Sequence, residues 1–264
     1  MNKVIRAEFG RTINAGLIIA IAGIIFSICF DSFNDLIAGL RNGQGYVGYF
    51  FSNAAFGGMC THYMLPVFTA LPFSVSLCQE RNNKAVSYIV SREGKNRYIF
   101  AKFIVSAISG GFVAACGTVL LFLMLAMRFP IAGDEFEGAV VSDYFHEWSA
   151  VYYPQLYILT LSILAFCSGV IWSSLALCVS LYTSDFMVVL LSPFLGSYVL
   201  VRIFQIIRVP DMVRPDMILI GQVVIKSSGL TLLIAIAISL TIVTLIGAFF
   251  VGKMKEGLKS GTIY

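Results

Sequence analysis

Long apolar runs without a charged residue dominate this chain, and short polar stretches separate them. Four such runs, each free of Asp, Glu, Lys and Arg, cover residues 12–30, 103–127, 186–201 and 227–252. A helix that crosses a bilayer needs about 20 mostly apolar residues. Each run therefore predicts one transmembrane helix.

Two further uncharged runs, residues 42–79 and 148–184, are longer than a single crossing. Neither has an internal turn polar enough to divide it, so we predict one span in each, near residues 56–77 and 155–181. No polar linker or repeat divides the chain. The sequence therefore predicts an all-α polytopic membrane protein with six transmembrane helices, in which residues 1–264 form a single transmembrane domain.

The composition agrees with this interpretation. Hydrophobic residues make up 58% of the chain and charged residues 12%, and the mean hydropathy is +0.87. These values lie far from those of ordinary soluble domains. Nothing in the sequence predicts nucleic-acid binding.

The distribution of basic residues predicts the orientation, because Lys and Arg favour the cytoplasmic side in short loops. Most of them fall on one side of the six-span arrangement: Lys3, Arg6, Arg11, Arg81, Lys84, Arg92, Lys95, Arg97, Lys102, Lys253, Lys255 and Lys259. The other side has most of the acids, with an acidic outer loop at residues 129–154. We therefore expect a multi-pass protein of the plasma membrane, with both termini in the cytoplasm.

Residues 1–11 precede the first span and predict an amphipathic helix in the membrane interface. Val4, Ile5 and Phe9 can share one helical face, while basic side chains lie at the level of the lipid headgroups. A cleaved signal peptide is the alternative interpretation of this end. The first apolar run is too long for an ordinary signal sequence, and the residues after it do not resemble a cleavage site.

The basic stretch at residues 79–102 lies between two predicted spans. Ala85, Val86, Ile89 and Val90 recur at helical spacing, which predicts a short amphipathic helix parallel to the membrane. Its apolar edge could fill a groove in another protein. The alternative is that its basic residues only anchor the loop to anionic lipid, each contributing about 1 kcal/mol.

The order of residues in this stretch resembles that of the permease subunits of type-two ABC exporters. The resemblance rests on Glu80 and Arg81, then Ser91, Arg92, Glu93 and Gly94, then Arg97, and finally Lys102 at the start of the next span. It extends to the order of parts along nearly the whole chain: an interfacial N-terminal helix, six spans, and short outer re-entrant helices near residues 205–228.

The resemblance implies that residues 79–102 carry a coupling helix that docks on a separate cytoplasmic ATPase. The residues expected to act in coupling are Glu80, Arg81, Ala85, Val86, Ile89, Val90, Arg92, Glu93, Gly94, Arg97 and Lys102. It also implies a second permease, either identical or related, and an outward transport of an amphipathic or hydrophobic substrate such as a peptide, drug or lipid, and it suggests a bacterial origin.

The chain itself shows no catalytic or nucleotide site. Residues 247–254, GAFFVGKM, approach the phosphate-binding signature but lack the final Ser or Thr that holds magnesium. ATP and magnesium are therefore expected on the partner subunit, and no cofactor is expected in this chain. The two histidines, His62 and His146, are predicted near the outer face, and we expect no metal site at either one.

A substrate pathway is predicted from aromatic and flexible side chains near the centre of a dimer. The residues proposed for it are Met64, Phe68, Phe73, Phe194 and Tyr198. Pro66 and Pro72 are expected to bend the second span. Asp185 is expected to cap the helix of the fifth span, and Cys29 and Cys60 lie where a disulfide could join the first two spans.

Two other classes of protein stay open at this point. One is a non-transporting membrane sensor or scaffold that binds a cytoplasmic partner through its basic loop. The other is a secondary transporter, which would be expected to bury charged residues near the middle of the bilayer. The six predicted spans have none there.

Overall fold

The computed structural model describes residues 2–42, 47–50, 58–130, 153–221 and 223–260. Most of these residues are helical, and no β-strand occurs among them. The helices are α1 Asn2–Thr12, α2 Ala15–Asp31, α3 Phe33–Asn42, α4 Val47–Phe50, α5 Met59–Ala70, α6 Ser76–Asn82, α7 Val86–Glu93, α8 Lys95–Ala126, α9 Pro154–Val179, α10 Phe186–Ile207, α11 Pro215–Ile220 and α12 Ser228–Ser260.

Four helices, α8, α9, α10 and α12, are long and apolar enough to cross a membrane. A fifth crossing results if α1 and α2, which meet at a bend of 55°, are taken as one span. The described chain is therefore helical with multi-pass membrane character. The six-span layout is not found in this part of the chain.

Of the six predicted spans, the second, at residues 56–77, differs most from the structure. It divides into α5 and α6, with a turn at residues 71–75 between them. Pro66 lies inside α5 and Pro72 lies in the turn, and proline can neither donate a backbone hydrogen bond nor fit easily within a helix. The 12 residues of α5 are too few to cross a bilayer.

The centre of the fold is the pair α8 and α9, which approach each other at small residues. A Cβ atom added to Gly110 would lie 2.3 Å from the Ser173 Cβ atom, and one added to Gly169 would lie 2.5 Å from the Gly110 carbonyl oxygen. Ser74, in the turn before α6, joins this contact through hydrogen bonds to the Ser106 hydroxyl (3.0 Å) and the Ser173 carbonyl (2.9 Å). Small residues that let backbones touch are typical of helix contacts in membranes.

The helix ends form two groups. At one end, α7 shares a buried apolar cluster with Leu181 after α9 and with Phe250 and Met254 of α12. The beginning of α8 and the end of α12 lie there with α1 and α7. We call this the basic end, because each of these segments contains Lys or Arg residues. At the opposite end, Ile218 of α11 shares a cluster with residues near the end of α2 and the beginning of α9.

Helix α10 lies at the edge of the bundle and contacts α5 and α9. Only 22% of its most apolar stretch is buried. The Asp185 side chain accepts a hydrogen bond from the Met187 amide at 2.8 Å, which confirms the predicted cap of this helix. Between α10 and α12, a 3-10 turn at Asp211–Val213 precedes α11.

Other predictions have mixed outcomes. Cys29 and Cys60 are both free thiols, so the disulfide considered for them is absent. Most of the predicted acidic loop, residues 129–154, lies outside the described residues, and so does His146.

Candidate functional site

A network of ionisable side chains lies at the basic end, and all of them are buried except Arg11, whose side chain is 53% exposed. Its members are Glu8 and Arg11 of α1, Glu80 of α6, and Tyr98 and Lys102 of α8, and we call it the ion network. The exposed fractions of whole residues are 4% for Glu8, 7% for Glu80 and 0% for Lys102 and Tyr98. Burial of so many ionisable groups is costly unless they satisfy one another.

Glu80 is the centre of the ion network. One of its carboxylate oxygens accepts hydrogen bonds from the Lys102 ammonium at 2.7 Å and from the Arg11 guanidinium at 2.6 Å. The other oxygen accepts a hydrogen bond from the Tyr98 hydroxyl, with 2.5 Å between the two oxygen atoms. The Glu80 carboxylate is therefore saturated with donors from α1 and α8.

Glu8 completes the balance of charge. It accepts hydrogen bonds from Arg11 and from Lys102, each at 3.2 Å, so two carboxylates face two cations. The Lys102 ammonium also lies 4.7 Å from the centre of the Phe73 ring, where the face of the ring attracts a cation. Removal of any one charge would leave a buried partner without compensation.

The ion network joins helices that are separated by turns or bends of the chain. After the turn at residues 71–75, α6 places Glu80 within hydrogen-bond distance of Tyr98 and Lys102 of α8. Tyr98 and Lys102 lie four residues apart, so they share one face of α8. The bend between α1 and α2 returns Glu8 and Arg11 to the same place. Three separate helices are thus joined by charge.

Helix α7 turns its apolar face inward. Val86, Ile89 and Val90 are buried with exposed fractions of 1%, 7% and 6%, within the apolar cluster shared with α9 and α12. The prediction that this edge fills a groove in another protein is therefore wrong in its geometry. Ala85, which precedes the helix, is half-buried against the same cluster.

The opposite side of α7 and the turn after it face outward. Tyr88 is 67% exposed, and Arg92, Lys95 and Arg97 are also exposed. Gly94 separates α7 from α8 with a φ of +86°, a backbone conformation that glycine adopts without steric cost. We call Tyr88, Arg92, Lys95 and Arg97 the basic face.

The predicted coupling residues therefore fall into distinct environments. Glu80 and Lys102 belong to the buried ion network, whereas Arg92, Gly94 and Arg97 are exposed. Arg81 donates hydrogen bonds to the carbonyls of Ser180 and Leu181 at 2.9 and 3.2 Å, which attaches α6 to the end of α9. Glu93 accepts a hydrogen bond from Arg92 at 3.0 Å.

Sequence reasoning missed three members of the ion network. The interpretation of residues 1–11 as an interfacial helix places Arg11 at the lipid headgroups and gives no role to Glu8, and nothing in the sequence analysis indicates Tyr98. The available signal was Glu8 itself, a single acid in a basic N-terminal segment and three residues before Arg11. An acid in that position is a candidate for pairing within the protein instead of contact with lipid headgroups.

The structure does not bring the predicted pathway residues together. Phe194 and Tyr198 of α10 both contact the Tyr63 ring of α5, with centroids 5.9 and 6.0 Å apart. Phe68 instead lies against Gly23 of α2, and Phe73 lies beside the ion network. Met64 is 37% exposed.

Residues 247–254 lie inside the continuous helix α12. Their amide groups belong to the hydrogen-bond ladder of that helix, and a phosphate-binding loop needs free amides between a strand and a helix. The near match to the phosphate-binding signature is therefore accidental.

Comparisons with protein-family models, with curated proteins and with solved structures found no match to this chain.

Proposed function

We propose that this chain is the transmembrane permease subunit of an ABC exporter, which moves an amphipathic or hydrophobic substrate outward. ATP would be hydrolysed with magnesium on a separate cytoplasmic ATPase, and a second permease would complete the transporter. In this proposal the basic end faces the cytoplasm. The resemblance of residues 79–102 to type-two exporters supplies the hypothesis.

The observation that carries the proposal is the packing of α7. Its aromatic and basic side is exposed, and its apolar side packs in a buried cluster that includes parts of α9 and α12. A force applied to the basic face would therefore reach long helices directly. A loop that only anchors to lipid needs no such rigid support.

The ion network extends this path to further helices. Helix α7 joins α8 through Gly94, and Lys102 of α8 is ion-paired with both α1 and α6. Movement of the beginning of α8 would therefore displace the N-terminal helix and the broken second segment as well. Rigid-body motion of packed helices is a common means of switching between states.

A groove at the basic end supports the class of substrate. It has a volume of about 790 Å³ and lies between α1, α2, α6 and α10. Its polar lining includes Arg11, Asn14 and Gln79, and its apolar lining includes Phe186 and Leu190. An amphipathic molecule would find partners for both of its parts in this groove.

The decisive experiment compares two pairs of exposed cations at the basic end. Arg92→Ala with Lys95→Ala removes charge from the basic face, whereas Lys253→Ala with Lys255→Ala removes the same charge from α12. We expect the first variant to lose at least tenfold in co-purified ATPase and in transport, and the second to retain both. Equal loss in both variants would indicate general attraction to an anionic surface.

The same measurement separates the other classes of function. A sensor or scaffold would retain a cytoplasmic partner that hydrolyses no ATP. A secondary transporter would move substrate under an ion gradient without any ATPase, with the buried charges of the ion network as its candidate ion site. Lys102 lies only seven residues after the beginning of α8, or about 10 Å along the helix, which places it near one end of this span.

A further inference from the structure

The groove at the basic end is lined by the break in the second predicted span. Its volume of about 790 Å³ lies within the range of about 300–1,000 Å³ that is typical of small-molecule sites. Leu71, Pro72 and Phe73, from the turn between α5 and α6, belong to its lining. Irregular backbone at membrane depth is tolerated where it is buried or lines a cavity, and interrupted helices form the binding sites of many transporters.

Polar and apolar side chains line this groove at different depths. Helix α6 runs from the turn toward the basic end, so Gln79 and Asn83 lie nearer that end than Leu71. Helices α2 and α10 begin at the basic end, so Ile19 and Leu190 lie deeper in the bundle. The groove is therefore polar at the basic end and apolar further in, which matches the headgroup and acyl chains of a membrane lipid.

Arg11 supplies a donor for a phosphate group. It is the one basic residue of the groove lining within the described chain, and its side chain is 53% exposed. Its Nη1 atom donates both hydrogen bonds to Glu8 and Glu80, whereas Nε and Nη2 make no hydrogen bond with any described residue. A guanidinium group can donate two parallel hydrogen bonds to one phosphate. Arg11 can therefore bind a phosphate without giving up its ion pairs.

The charges of the groove lining balance. Glu80 is the one acid among the described lining residues, and it compensates Arg11. Gln79 and Asn83 are exposed, and their neutral side-chain amides have oxygen atoms that can accept hydrogen bonds from an ammonium group. Anionic lipids are attracted by clusters of basic residues, which this lining lacks. The groove therefore favours a headgroup with one phosphate and one ammonium.

The apolar part of the groove is continuous with surface that a bilayer would cover. Ile13 and Ile19, at the bend between α1 and α2, are 80% and 56% exposed and also belong to the lining. Phe186, at the beginning of α10, is 38% exposed on the other side. A lipid could therefore enter sideways from the leaflet at the basic end.

We propose that this groove binds a zwitterionic phospholipid of the phosphatidylethanolamine type. Arg11 binds the phosphate, Gln79 and Asn83 accept hydrogen bonds from the ammonium, and one acyl chain lies along Ile19 and Leu190. This ligand narrows the amphipathic substrate class named above, and that step rests on the proposed function. Binding of the lipid itself needs no ATPase.

Photocrosslinking to lipid in nanodiscs tests the proposal on the full chain. Benzoylphenylalanine replaces either Phe186, in the lining, or its neighbour Met187, which is 62% exposed and outside the lining. The nanodiscs contain equal amounts of phosphatidylethanolamine and phosphatidylglycerol, and mass spectrometry measures the ratio of the two lipids in the adducts. We expect this ratio to be about threefold to tenfold higher at position 186, as the loss of a hydrogen bond or two would predict.

Three further variants, each combined with the crosslinker at position 186, locate the ligand. Leu190→Trp fills the groove and should abolish the enrichment. Leu191→Trp makes the same change on the exposed side of α10, outside the lining, and should leave the enrichment intact. Arg11→Lys keeps a cation for Glu80 but removes the free guanidinium nitrogens, so the enrichment should fall to about twofold or less.

Equal lipid ratios at positions 186 and 187, or enrichment of phosphatidylglycerol at position 186, would overturn the proposal. Equal effects of Leu190→Trp and Leu191→Trp would overturn the groove as the site. If Arg11→Lys does not fold, the comparison of positions 186 and 187 in the otherwise unchanged chain still decides the ligand. Failure of Tyr88 to capture an ATPase would refute the exporter and leave the lipid ratio unaffected, so the two failures are distinguishable.

Discussion

The two ends of this molecule differ in the kind of side chains that they bury. At the basic end, two carboxylates, two cations and a tyrosine hydroxyl compensate one another across three helices. Toward the other end, a mostly apolar pocket lies between α5, α9, α10, α11 and α12. A network of ion pairs resists rearrangement, whereas loosely packed apolar helices permit it.

In the proposed exporter, this difference would give each end a separate role. The basic end can transmit a displacement because its helices are joined by contacts that are costly to break. The region around the apolar pocket can absorb a displacement, because α10 lies there at the edge of the bundle with little of its surface buried. A transporter driven from one end needs both properties.

The largest effect is expected from loss of the fully buried cation. Lys102→Met leaves Glu8 and Glu80 with Arg11 alone, and removal of one partner from a buried ion pair costs about 3–5 kcal/mol. The free energy of unfolding, measured in mixed micelles titrated with a denaturing detergent, should fall by that amount. Adding Glu80→Gln should recover part of the loss, because the number of uncompensated charges falls again.

Lys253→Met is the matched control for this prediction. Lys253 is paired with Glu256 at 2.8 Å on the exposed end of α12, where an ion pair contributes little. No measurable change is expected. If both lysine variants lose stability equally, the ion network does not hold the basic end together.

A smaller effect is expected from the inward face of α7. Ile89→Ala removes a buried side chain from the cluster shared with α9 and α12 and should destabilise the protein by about 2–3 kcal/mol. Tyr88→Ala, on the exposed side of the same helix, should leave the thermal midpoint nearly unchanged. The reverse order would mean that α7 is attached through its other face.

The contact between α8 and α9 should respond to a single methyl group. Gly110→Ala places a Cβ atom against Ser173, and overpacking of this kind costs about 1–3 kcal/mol. Gly252→Ala makes the same chemical change in α12, where nothing lies within 4 Å, and should be neutral or slightly stabilising. Two neutral results would contradict the close approach of the two helices.

The smallest effect is expected at the beginning of α5. Asp31, at the end of α2, accepts hydrogen bonds from the amides of Cys60 and Thr61 at 3.0 and 2.6 Å. Asp31→Ala should cost about 0.5–2 kcal/mol, as for other helix caps. Asp185→Ala, at the exposed cap of α10, should reduce the free energy of unfolding by an amount at or below the lower limit of that range. A larger loss for Asp185→Ala than for Asp31→Ala would contradict the stronger role given to Asp31.

The sequence predicts the apolar helices well because their signal is local. The runs at residues 103–127, 186–201 and 227–252 correspond to α8, α10 and α12, each of which extends further into polar residues. The division of the second span into α5 and α6 is harder to predict from the sequence. Pro72 indicated a bend, but the complete turn at residues 71–75 depends on tertiary contacts of Ser74 with Ser106 and Ser173.

The ion network could not be predicted because its members are far apart in the chain. Glu8 is 94 residues from Lys102 and Glu80 is 22 residues from it, and hydrophobic periodicity assigns each of them to a polar surface. Charge compensation across three helices appears only when the bends at both helix pairs are known.

The most direct test of the central claim is site-specific photocrosslinking from the basic face in intact cells. A photoreactive amino acid at Tyr88 should capture a subunit that binds and hydrolyses ATP, whereas the same group at Val199, on the exposed side of α10, should not. Capture of that subunit at Tyr88 alone is the predicted result. Crosslinks from Tyr88 only to lipid, or labelling of Tyr88→Cys from outside the cell, would contradict it.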